Sequence, residues 1–201
     1  MAGNGFIPVG VTGRGWDGET TSFWIAKNYS ENIFYGDPVM AVADGTIEVI
    51  NSVADLDLGN MVGVFVGCEY VDSTGRPTWS QYYPEDQNVD GIRAFVAGTD
   101  PLTKYRVKFT ASGTDGTQVR SAIGFNFDMD VTNSGSTTTG NSGYSLETAG
   151  ASAATENFRL IDVVNVDGSD SPTTATNLTT YTHGIVIVEP LLHAYSNTTG
   201  I

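Results

Sequence analysis

The sequence predicts an all-β protein, a single-domain β-sandwich or β-barrel with long loops and an extended N-terminal arm. Three observations carry that expectation. Apolar residues recur at every second position: Ile123, Phe125, Phe127 and Met129 alternate with Gly124, Asn126, Asp128 and Asp130, and Tyr105, Val107 and Phe109 alternate with Arg106 and Lys108. A period of two places one apolar and one polar face on a strand. Turn chemistry punctuates the runs, as in Gly36-Asp37-Pro38, Asp44-Gly45, residues 73–75, Asp100-Pro101, Asp115-Gly116 and Asp167-Gly168. The 201 residues are 40% hydrophobic, with nine Tyr, nine Phe and three Trp, enough for one core that buries roughly 70% of the unfolded surface.

Residues 1–19 stand apart. They are glycine-rich, with Phe6, Ile7, Val9, Val11 and Trp16 as apolar anchors and no clear alternation. Such a stretch forms an edge strand or frayed terminus, or an arm that orders against a neighbouring chain. The domain division follows the second reading: an arm over residues 1–19 and one β domain over residues 20–201. On that reading, removing the arm leaves the fold intact.

Strand signals follow at residues 38–42, 46–50, 61–70, 92–97, 105–109, 123–129, 158–166 and 183–189, about eight or nine strands in all. Only SVADLDLGN (52–60) could hold a helical turn, and it is too short to need one. Residues 133–155 carry a single charged side chain, Glu147, among small polar and small apolar residues. About 46 residues remain after Thr155, too few for a comfortable second domain, so the stretch is expected to cross between strands of one domain. Long connections in compact domains are usually functional or disordered. Small uncharged side chains lie against protein without the desolvation cost of charge, which fits an ordered contact loop.

Charge narrows the partners. Nine basic against 23 acidic residues give a net charge of -14, which opposes binding to phosphate backbones or anionic lipid. No nucleic-acid or membrane partner is expected. No run of eighteen apolar residues offers a membrane-spanning helix, and the opening residues lack the pattern of a cleaved signal peptide. Synthesis in a cytoplasm is therefore expected, and the Asn-x-Ser/Thr triplets at Asn28, Asn177 and Asn197 read as loop polarity. The single cysteine, Cys68, forms no internal disulfide and reads as a small buried hydrophobe on a strand.

Catalytic patterns are weak. The two histidines, His183 and His193, have no local motif and read as structural residues at strand ends. Carboxylate pairs at Asp55/Asp57, Glu85/Asp86, Asp128/Asp130 and Asp167/Asp170 arise by chance in so acidic a chain. FNFDMDVTN lacks the Gly and terminal Glu of a calcium loop. Walker, GxSxG and HExxH patterns are absent. The expectation is a non-enzyme with no catalytic residue, cofactor or metal site. One alternative function is a carbohydrate-binding β-module of a fibre or surface protein, with Trp16, Trp24, Trp79, Tyr82 or Tyr83 stacking on sugar rings. WSQYYPEDQ (79–87) is its best patch, although the same aromatics serve equally as core residues.

GFIPVG, YGDPVM with the following DGTIEV, GVFVGCEY, FVAGTDPLTKYRVKF and above all GFNFDMDVTNSGSTTTGNSGYSLE resemble, in this order, the head proteins of tailed bacteriophages of the decoration or capsid-stabilising (cement) type. The resemblance spans about two-thirds of the chain, in pieces; THGIVIVEPLLHAYSNTTGI at the end has no close counterpart. It implies a structural protein on the capsid exterior of a virion, bound to the outer face of the major capsid protein as a homotrimer near local three-fold axes. Candidate capsid or subunit contacts are Phe6, Ile7, Val9 and Trp16 of the arm, and Thr137, Thr138, Thr139 and Tyr144 of the loop.

Overall fold

A computed structural model describes residues 5–11, 13–109, 123–146, 156–166 and 184–196. Within them the chain is built from antiparallel β-sheets with one short helix. The larger sheet contains β1 (Ile7–Val11), β2 (Arg14–Gly15), β9 (Thr103–Phe109), β10 (Asn126–Phe127), β11 (Met129–Asp130), β14 (Ser145–Leu146), β15 (Phe158–Val166) and β16 (Gly184–Pro190). Its main path runs β10-β15-β16-β9-β1-β2, and β14 joins β11 to β9. The second sheet runs through β3 (Thr20–Ile25), β8 (Ile92–Ala97), β6 (Met61–Val71), β4 (Pro38–Ala41) and β5 (Ile47–Val49), with β7 (Pro77–Ser80) added along β6. A bridge from Trp24 to Thr46 brings the far end of this sheet back towards β3. A separate hairpin is formed by β12 (Gly135–Ser136) and β13 (Asn141–Ser142).

Side-chain alternation explains how the sheets meet. On β8, Ile92, Ala94 and Val96 are buried while Arg93 is exposed, as a half-solvated antiparallel strand requires. On β6, the positions from Met61 to Phe65 are all buried, so its first half runs through the interior. One hydrophobic cluster joins Tyr105, Val107, Phe127, Phe158, Leu160 and Val188 of the larger sheet to Ile25, Val39, Ile47, Val64, Ile92 and Val96 of the second. The architecture is sandwich-like, with both sheets contributing to one core.

The opening stretch has a different role from that of an arm. β1 pairs antiparallel with β9 from Ile7↔Arg106 to Val11↔Thr103, and β2 folds back on β1. Phe6 is fully buried, stacked on Phe158 at 4.8 Å and edge-on to Tyr105 at 6.4 Å. Residues 7–11 and 14–15 thus belong to the sheet of their own chain, and Phe6 to its core. Burial alternates along β1, but its inward positions are Pro8 and Gly10, not the large apolar residues that mark a strand.

Several further elements lie outside the expected strands: β3, β7, β12, β13 and β14. β3 shows alternating burial and begins directly after the expected arm boundary. The segment 52–60 does form a helical turn, α1 (Val53–Asp57), because Ser52 caps it: its Oγ accepts the Asp55 N–H at 3.1 Å and donates to Asp55 Oδ2 at 2.6 Å. The Asp115-Gly116 and Asp167-Gly168 turns, His183, the Asp167/Asp170 pair and residues 147–155 lie outside the described residues.

Candidate functional site

The Thr-rich stretch becomes a finger with a locked base. Thr137, Thr138 and Thr139 form the exposed turn of the β12–β13 hairpin. Tyr35 N–H donates to the Gly140 carbonyl at 2.9 Å, and Ser142 N–H donates to the Tyr35 carbonyl at 3.0 Å. The Gln81 amide donates to Asn141 Oδ1 at 2.8 Å. Gly135 has φ +137°, and a Cβ there would stand 2.6 Å from the Phe34 ring, which itself stacks on Tyr82. Only glycine fits at that contact.

Three distant stretches of the chain, at Gly5, Gly36 and Ser142, converge at the foot of this finger. A Cβ on Gly5 would stand 2.5 Å from both the Gly36 carbonyl oxygen and Ser142 Cβ, and Phe6 N–H donates to that carbonyl at 2.8 Å. The buried Asp37 follows Gly36 directly. Its Oδ2 accepts the Phe34 N–H at 2.7 Å, and Oδ1 is buried without a hydrogen-bond partner among the described residues. Burial pushes its carboxyl up to about 7, eased by the nearby Ser142 hydroxyl and the Phe34 N–H. Tyr144 is buried beside it and its phenol is raised, by burial first and by the Asp37 charge second.

The eight candidate contact residues therefore divide. Thr137, Thr138, Thr139 and Val9 are exposed, and Ile7 and Trp16 are half-buried, Trp16 packing against the core. Phe6 and Tyr144 are core residues and offer no surface to a partner. The apolar anchor pattern at Phe6 reflects burial within the chain.

A second surface lies on the outer side of the second sheet. Register places Trp24 opposite Arg93, Arg93 opposite Glu69, and Glu69 opposite Trp79, so the four residues form one row across β3, β8, β6 and β7. All four are exposed, the indoles at 50% for Trp24 and 63% for Trp79. The Arg93 guanidinium lies 5.6 Å from the Trp24 ring centre and its Nη1 donates to Glu69 Oε1 at 3.4 Å. A shallow depression beside Trp79 is lined by Glu69, Tyr70, Val71, Pro77 and Thr78. The sequence offered Trp24 and Trp79 as separate aromatics. Arg93 and Glu69 escaped it, because their alignment depends on strand register, which no local pattern encodes. Of the other sugar-stacking candidates, Tyr83 is buried and Tyr82 is half-buried on Phe34.

Among the described residues, Cys68, His193 and Asn157 are buried. The Cys68 thiol is buried and pushed up to about 12 by burial, far from a reactive thiolate. His193 is buried and pushed down to about 4, chiefly by burial; its Nδ1 accepts the Tyr195 N–H at 3.2 Å. The Asn157 amide donates to Asp57 Oδ1 at 2.9 Å and to Asp128 Oδ1 at 3.1 Å. Among the described residues, no three or more His, Cys, Asp or Glu side chains are grouped to hold a metal ion, and no helix is long and apolar enough to cross a membrane.

Comparison of the chain with protein-family models, with curated proteins and with solved structures finds no match.

Proposed function

We propose that the chain is a structural virion protein that binds the outer face of the major capsid protein of a tailed phage, as a homotrimer, and stabilises the shell. The observation that carries this reading is the uncharged Thr137 to Thr139 turn, presented by a hairpin whose base is fixed to Phe34, Tyr35 and Gln81. A finger already ordered before docking loses little conformational entropy on binding, and an uncharged tip avoids the desolvation penalty of buried charge. The motif order described above gives the tip its proposed partner.

Stabilisation follows from linkage. A subunit that binds the assembled shell better than free capsid subunits favours assembly by RT ln(1 + [L]/Kd), about 2.7 kcal/mol per site at a hundred times Kd. The net charge of -14 makes decorated particles mutually repulsive and keeps them dispersed. Co-sedimentation with purified capsids tests the reading: the wild-type chain pellets at fixed stoichiometry, and a chain with Asp at positions 137, 138 and 139 stays in the supernatant while keeping its circular dichroism. Equal pelleting of both chains removes the hairpin from the interface; a wild-type chain that never pellets removes the capsid reading.

A further inference from the structure

We propose that the row Trp24, Arg93, Glu69 and Trp79 is a binding site for a neutral oligosaccharide chain laid across the strands, a reading independent of capsid attachment.

The geometry sets the ligand's size. Neighbouring strands are about 4.8 Å apart, so the two indoles, three strands apart, are separated by roughly 14 Å. That exceeds one sugar ring and suits an oligomer that meets an aromatic face near each end. Both rings are held before any ligand arrives. Trp24 lies under the Arg93 guanidinium, and Trp79 lies across Gly67, where a Cβ would stand 3.0 Å from ring atom Cζ2. Immobilised aromatics bind with little loss of side-chain freedom.

The chemistry sets the class. A pyranose offers an apolar C–H face rimmed by hydroxyls, so it needs aromatic planes together with donors and acceptors. The row supplies two indoles, a guanidinium with five N–H donors and a carboxylate that accepts. The Arg93 and Glu69 charges oppose each other at 3.4 Å, leaving the centre of the row neutral. The chain's charge of -14 repels anionic glycans and nucleic acid. A protein partner would meet a contiguous apolar centre, whereas here an ion pair separates the rings. The depression beside Trp79 gives one sugar substituent a place at the end of the row.

Isothermal titration of the full chain with three neutral hexasaccharides (β-1,4-linked glucose, β-1,4-linked N-acetylglucosamine and α-1,4-linked glucose), and with heparin as the anionic arm, tests the site. The expected result is saturable binding of at least one neutral hexamer, weakened about tenfold by Trp24→Ala and by Trp79→Ala separately, since loss of one aromatic stacking contact is worth up to about 1.5 kcal/mol. The corresponding disaccharide, which cannot reach both indoles, binds more weakly than the hexamer. Matching circular dichroism and thermal midpoints show that the variants are folded; if either alanine variant unfolds, the Trp→Leu form replaces it. The proposal is overturned if no neutral hexamer binds, if binding survives both substitutions, if heparin binds more tightly, or if the row proves to be covered by a second copy, seen as a dimer that either substitution dissolves.

Discussion

The Trp79 indole lies across Gly67, whose absent Cβ would stand 3.0 Å from ring atom Cζ2 and 3.1 Å from the Ser80 carbonyl oxygen. A register shift between Phe65 and Gly67 puts the glycine at φ +153°, a conformation side chains rarely adopt. Gly67→Ala is expected to destabilise the fold by roughly 1 to 3 kcal/mol through backbone strain and to lift the ring off the sheet. Urea unfolding reads the first effect. Increased quenching of tryptophan fluorescence by iodide reads the second, and an unchanged quenching constant would show that Gly67 does not seat the ring.

Phe6 belongs to the core, so truncating it is expected to be costly. Phe6→Ala should destabilise by about 3 to 5 kcal/mol, the range for large aromatic truncation in a core. Removing residues 1–11 also strips β1 from β9 and should abolish cooperative thermal unfolding followed by circular dichroism. A truncated chain that melts at the wild-type temperature would restore the arm reading.

Asp37 gives stability a predictable pH dependence. Burial raises its folded pKa from 3.8 to about 7, so the folded state holds the proton more tightly than the unfolded chain. Its contribution is fully present below about pH 4 and is lost as pH rises through about 7, a change on the order of 4 kcal/mol by linkage. Asp37→Asn mimics the neutral form and should flatten the urea-stability profile between pH 4 and 7. A slope that persists in the variant assigns it to other groups.

Alternation revealed most of the strands, because strands with one wet face write their burial into the sequence every second residue, as at Ile92 to Val96. β1 carries no such signal because its inward positions are Pro8 and Gly10, and Phe6 reads as a free anchor for the same reason. The Thr-rich stretch was legible as an ordered segment, but not as a hairpin, since its base depends on Phe34, Tyr35 and Gln81 from distant parts of the chain. The Trp24 to Trp79 row required β3 and β7 in register with β8 and β6. The burial of Asp37 was hidden for a related reason: Gly36-Asp37-Pro38 reads as a solvated turn until residues 5 and 142 pack over it.

Attachment through a neutral hairpin tip should resist salt. Contacts between opposite charges weaken as the Debye length falls from about 10 Å at 0.1 M to about 3 Å at 1 M, whereas uncharged contacts are little affected. Co-sedimentation with capsids is expected to change less than threefold, roughly 0.7 kcal/mol, between 0.1 and 0.5 M salt. Release of the chain over that range would place the affinity in charged residues instead.

Electron microscopy of phage particles carrying the chain decides whether it sits on a capsid as proposed. Density for this two-sheet fold is expected on the outside of the shell, in groups of three about the local three-fold axes, with the Thr137 to Thr139 turn against the major capsid protein. Particles whose outer surface carries no such density, or that carry it as isolated single copies, would contradict the proposal.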